Sequence, residues 1–171
     1  MTGYIHIYTG NGKGKTTAAL GLALRAVGAG LRVYFGQFMK NFEYSEIRGL
    51  GMLGPSLLVE QFGRRAELSF ELGEEDRLLA GRGLERVQEI LKDGNWDLVI
   101  LDEIVMALHF GLLRREAVLA LVQSRPKGTE LVLTGRHAPR WLIRLADLVT
   151  EMREIKHYFR EGVRARAGIE K

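Results

Sequence analysis

Apolar positions recur along this chain in two rhythms, and these lay out its elements before any single residue is weighed. Tyr4-Ile5-His6-Ile7-Tyr8 is a β-branched and aromatic run that opens into glycine-rich sequence at Thr9, and from Lys15 to Val27 Ala and Leu occupy nearly every helical face. A buried strand, a loop and a buried helix are predicted there. Gly28 and Gly30 close that helix, and Leu31 to Phe38 reads as a second strand whose polar end brings Gln37 and Lys40 towards a ligand-binding edge. From Asn41 to Gly73 the signals mix, with a short helix around Tyr44 to Leu50 and a strand over Leu57 to Gln61.

Glu74-Glu75-Asp76 places acids in a first helical turn, and Ala80, Leu84, Val87 and Leu91 follow at helical spacing until Gly94. Trp96 to Leu101 is then an apolar strand ending in Asp102 and Glu103. A helix is predicted at about Arg114 to Ser124, a strand over Glu130 to Thr134, and a helix opened by Pro139. Ala146 to His157 reads as a final strand followed by a basic tail. Strands alternating with helices predict an α/β fold: one mainly parallel sheet with helices on both faces and the ligand at the strands' C-terminal ends.

The chemistry concentrates in Thr9-Gly10-Asn11-Gly12-Lys13-Gly14-Lys15-Thr16-Thr17. Between a strand and a helix, such a sequence forms a phosphate-binding loop: glycines let backbone N–H groups close round an anion, a lysine reaches the outer phosphates, and a hydroxyl binds Mg²⁺. Thr9 stands where the general motif has its first glycine. A dinucleotide-binding loop starting at Gly10 would need glycine at Lys15. Asp102 and Glu103 supply the acidic second half of a nucleotide site, and alternation along a strand predicts that one of them faces the ion. Arg136, just past a strand end, is a candidate phosphate contact; Arg25, well inside the first helix, competes between that role and an ion pair.

At 46% hydrophobic, the 171 residues suffice for one well-buried domain. The absence of Cys excludes disulfides, thiolate metal sites and a cysteine nucleophile. The four histidines share no metal-ligand spacing. A formal charge of +4 suits a polyanion, either nucleic acid or a small phosphate ligand. Arg153, Lys156, Arg160, Arg164 and Arg166 in the tail read as a solvated face, which makes nucleic acid the lesser expectation. With no apolar run of membrane-spanning length and no signal-peptide pattern, a soluble cytoplasmic protein without membrane contact is expected.

Three stretches together carry a family resemblance: Thr9 to Ala19, Leu133-Thr134-Gly135-Arg136, and Ala146 to Met152 running through Lys156-His157-Tyr158-Phe159 to Ala165-Arg166-Ala167-Gly168-Ile169-Glu170. With Gln37 to Lys40 and Leu101-Asp102-Glu103 the likeness runs nearly end to end, and the chain resembles the P-loop class of ATP:corrinoid adenosyltransferases. Thr9 at the first position belongs to that family's pattern. The resemblance implies a RecA-type nucleotide-binding fold, a homodimer, a reductase as electron source, and transfer of the 5′-deoxyadenosyl group of ATP to the Co(I) ion of a reduced corrinoid with triphosphate leaving. It implies that Gly10 to Gly14 cradle phosphates, Lys15 neutralises them, and Thr16 with Glu103 holds Mg²⁺, Asp102 being the reserve ligand. Thr9, Thr17, Arg25, Gln37, Lys40 and Arg136 complete the expected ATP site.

The sequence departs from the family twice. The family carries an extension before the first strand, which here begins at Gly3, and an aromatic Gly-Phe-Thr-Trp stretch where this chain reads Glu60 to Leu68. Phe62 and Phe70 are the aromatics available to wall a corrinoid pocket. Two other readings share the loop: an ATPase or kinase in which Glu103 activates water or a hydroxyl, and a nucleotide-dependent binding protein using the basic tail.

Overall fold

The computed structural model describes residues 2–42, 44–65 and 72–170. Six strands form one all-parallel sheet: β1 (Ile5–Thr9), β2 (Val33–Phe38), β3 (Leu57–Phe62), β4 (Leu98–Asp102), β5 (Glu130–Thr134) and β6 (Leu148–Glu151), in the order β3-β2-β4-β5-β1-β6. The helices are α1 (Lys15–Gly28), α2 (Ser45–Gly51), α3 (Glu74–Asp93), α4 (Ile104–His109), α5 (Arg115–Ser124) and α6 (Arg140–Ile143).

The two-residue period of the strands divides the core. Val33, Phe35, Leu98, Ile100 and Val132 pack with Ala19, Ala23 and Ala26 of α1 and Leu50 of α2. Tyr34, Val99, Leu101, Leu131 and Leu133 point the other way, onto Leu84, Val87 and Leu91 of α3, Ile104 of α4, and Val118 and Leu121 of α5. Strands covered on both faces read as continuous apolar runs, which is why the predicted doubly covered parallel sheet is found. Small alanines let α1 lie close to the sheet, and that fixes where its N-terminus meets the loop.

Capping follows local chemistry. At the start of α3 the Asp76 carboxylate accepts a 2.8 Å bond from the Gly73 N–H, and Gly94 ends the helix at φ 68°. The strand expected from Ala146 to His157 is only Leu148–Glu151, and Met152 marks the change: its N–H still donates to Thr9 at the end of β1, while its carbonyl accepts from Gly12 in the loop. The sequence reading also lacked α4, since a six-residue helix directly after a strand gives too few turns for a periodicity to register. Among the described residues, no helix is long and apolar enough to cross a membrane.

Candidate active site

The loop from Gly10 to Gly14 leaves β1 at the sheet's C-terminal edge, flanked by β5 on one side and β6 on the other. Its glycines are needed for space. A methyl group on Gly12 would come within 2.8 Å of the Met152 carbonyl oxygen, and one on Gly10 within 2.4 Å. Gly14, at φ 118°, turns the chain into α1 with the loop's N–H groups at the helix's positive end.

A row of polar side chains runs along the strand ends beside this loop. Asp102, fully buried at the end of β4, accepts from the Thr134 hydroxyl of β5 at 2.6 Å, from the Gln37 amide of β2 at 3.0 Å, and from the Thr16 hydroxyl of α1 at 3.0 Å. Gln61 of β3 donates in turn to Gln37 at 2.7 Å and to the Phe42 carbonyl at 3.1 Å. Lys40 Nζ lies 3.9 Å from the same carboxylate. Each acceptor position on Asp102 is thus met by a donor from a different element, which a buried charge requires.

Glu103 is not a strand residue. It adopts φ 59° as the turn into α4, with its N–H donating to Thr134 Oγ1 at 3.0 Å, so strand alternation does not decide where its side chain points. Of the two acids, Glu103 lines the cleft, while Asp102 is fully buried outside its walls and accepts from the Thr16 hydroxyl. Burial first, then the Asp102 charge, raises the Glu103 pKa; Lys40, Lys15 and Arg136 oppose this. Met39 at φ 61° and His137 at φ 59° adopt the same left-handed conformation just past β2 and β5. Three non-glycine residues so held at adjoining strand ends are a concentration of backbone strain typical of a functional edge.

These pieces enclose a cleft of about 630 Å³ whose walls include Asn11 to Thr17, Lys40, Glu103, Arg136 and the segment Gly168-Ile169-Glu170. Lys15 Nζ rests on the carbonyls of Gly10 and Gly12 at 2.7 and 2.8 Å, and burial is the main cause lowering its pKa. Cations at the ends of β1, β2 and β5 thus face one space large enough for a nucleotide.

Several expected residues fall elsewhere. Arg25 is exposed in the last turn of α1, outside the cleft walls, because ten residues of helix carry it about 15 Å from Lys15. Gln37 is fully buried outside the cleft walls, where its amide donates to Asp102. Phe62 rests against Phe38, ring centres 5.5 Å apart, and over Gly83, where a methyl group would come within 2.6 Å of its ring. It is a packing residue between β3 and α3. Phe70 lies outside the described residues, as does part of the Glu60 to Leu68 stretch. Lys13 lines the cleft, yet its ammonium is bonded to the C-terminal segment. In the tail, Arg153, Lys156, Arg160, Arg164 and Arg166 are exposed, while Tyr158, Ile169 and Glu170 of the same segment meet the loop at Lys13. Thr134 and Gln61 had a legible signal, a polar residue at or near the end of an apolar strand; Glu170, 157 residues from Lys13, had none.

The strand–loop–helix, the hydroxyl of Thr16 on a buried β4 acid, and the parallel sheet define a P-loop nucleotide-binding protein. The family model of the ATP:corrinoid adenosyltransferases BtuR/CobO/CobP matches residues 1–170, and the chain belongs to that family. It is 35% identical over 175 residues to the corrinoid adenosyltransferase of Escherichia coli, covering 98% of this chain and 85% of that protein. Against the corrinoid adenosyltransferase CobA of Salmonella typhimurium the identity is 37% over 169 residues, with the same coverage of both. An uncharacterized Nostoc protein is 37% identical over 92% of this chain, which spans only 45% of that protein's length.

Proposed function

We propose that the chain is an ATP:corrinoid adenosyltransferase that joins the 5′ carbon of ATP to the Co(I) ion of a reduced corrinoid and releases triphosphate whole. The observation that carries this is a complete phosphate loop in a chain matched by the family model from residue 1 to 170. The cobalt electron pair forms the Co–C bond while the C5′–O pair departs with triphosphate, so cobalt is formally oxidised by two electrons. No side-chain nucleophile or general base is required. The protein's work is to hold the ribose carbon towards cobalt and to neutralise the leaving group.

Lys15, Lys40 and Arg136 are the cations facing the cleft for that neutralisation, and Lys15 exchanges its two loop carbonyls for phosphate oxygens. Thr16 and Asp102 form an oxygen donor set that suits Mg²⁺, a hard cation, with Glu103 alongside on the cleft wall. Their existing contact supports Asp102 over Glu103 as the partner of Thr16. When bound, the ion would offset charge on the phosphates. Gln37 and Thr134 hold Asp102 oriented through their hydrogen bonds. A homodimer, a cytoplasmic setting and an external reductase belong to this reading through family likeness.

Phosphorus NMR of a mixture of ATP, Mg²⁺ and chemically reduced cobalamin tests the reaction. Triphosphate should appear in one-to-one ratio with the new Co–C absorbance and with negligible ADP. Steady ADP formation without corrinoid would make the chain an ATPase or kinase, since those enzymes cut at the γ-phosphorus.

A further inference from the structure

The loop carries two lysines, and the structure uses them differently. Lys15 lies on loop carbonyls at the foot of the cleft, whereas Lys13 Nζ donates to Ile169 O at 2.8 Å, Glu170 Oε1 at 3.0 Å and Tyr158 Oη at 3.2 Å. An ammonium has three protons, and all three are committed. The partners are themselves fixed. Glu170 accepts from the Arg166 guanidinium at 3.1 and 3.3 Å, from the Arg166 N–H at 2.8 Å, and from the Tyr158 hydroxyl. The Arg166 guanidinium sits 5.0 Å from the centre of the Tyr158 ring.

We propose that residues 157–170 are a built wall of the nucleotide cleft and that Glu170 is its positioning residue, fixing wall and loop to each other through Lys13. Lys13 is on this view an anchor for the wall and not a phosphate ligand. Gly168, Ile169 and Glu170 all face the cleft, so a shift of the clamp alters the nucleotide's surroundings directly. Arg166 first, then Tyr158, holds the Glu170 carboxyl far below the ordinary range, as expected where its charge organises the cluster. The proposal rests on the nucleotide reading of the cleft and not on which bond of ATP breaks.

Charge gives the test its sign. If Glu170 were only a carboxylate near an anionic ligand, Glu170→Gln would tighten ATP binding by removing repulsion; as a positioning residue its loss weakens binding. Calorimetric titration with Mg²⁺ and ATP of the wild type, Glu170→Gln, Lys13→Met and the double variant decides between them. Each single variant is expected to bind about three- to tenfold more weakly, and the double variant no more weakly than the worse single, because both break one clamp. The loss should fall on KM for ATP more than on kcat, and trypsin should cut after Arg164 and Arg166 faster in both singles. Unchanged or tighter binding by Glu170→Gln, or additive losses in the double variant, would overturn the proposal. An enzyme that binds ATP with this coupling but transfers no adenosyl group would refute the reaction assigned above and leave the clamp standing.

Discussion

The phosphate loop is held from two sides by opposite means. Towards β5 and β4 it meets a buried row in which one carboxylate is met by hydroxyl and amide donors from three elements. Towards the C-terminal segment it meets a half-exposed cluster of charges around Lys13 and Glu170. Truncating a member of the first row leaves a buried group unpaired, which costs the full desolvation penalty, whereas exposed ion pairs give way to water at little cost. One side is therefore a rigid reference surface and the other an adjustable one. The chemistry that must not move sits on the rigid side.

The largest expected effect is at Lys15. Lys15→Ala should abolish detectable turnover and weaken ATP binding roughly 10- to 150-fold, the equivalent of a charge-assisted contact of about 1.5–3 kcal/mol, while thermal melting shows the fold retained. Unchanged affinity and rate would remove the loop from the mechanism. Next, Asp102→Asn should raise the Mg²⁺ concentration needed for half-maximal rate more than Glu103→Gln does, because Asp102 already shares an oxygen contact with Thr16. A larger shift for Glu103→Gln would restore the order implied by family resemblance.

Thr134→Val keeps the shape but removes the 2.6 Å donor to Asp102. It should cost about 1–3 kcal/mol, read as a lower midpoint in urea, with a smaller shift of that midpoint for Glu170→Gln on the other side of the loop. Equal losses would erase the contrast between the two sides. The smallest effect is a gain. Burial raises the folded-state pKa of Glu103 above its unfolded value, so the folded protein binds the extra proton, and that contribution is lost as pH rises through the folded pKa. Glu103→Gln should then melt higher than wild type at neutral pH, with the difference shrinking on acidification; a gain that grew in acid would contradict it.

The rigid side was also the legible one. Gln37, Asp102 and Glu103 announced themselves as polar residues closing apolar strands, and the loop glycines as spacing in sequence, because strand and helix periods carry that information locally. The parallel sheet followed from the same periods. What the sequence could not convey was pairing at a distance: Lys13 with Glu170, Gly12 with Met152, Phe62 over Gly83. Arg25 misled because a helix's rise of 1.5 Å per residue removes a side chain from a site faster than proximity in sequence suggests. Family resemblance named the C-terminal stretch without saying what it touched.

The place of β1 bears on the order of folding. It sits between β5 and β6, with Ile5 beside Leu131 and His6 beside Leu148, so the strand that launches the loop finds its neighbours more than 120 residues later. By contrast β2 lies between β3 and β4, all three within a much shorter stretch, and this part can form early. Closing the long connection is the slow, entropically costly step, and a chain interrupted before β5 would present its first strand unpaired and prone to association. Nucleotide capture is thus a property of the completed sheet, and ATP, by binding only that state, would draw late intermediates towards it.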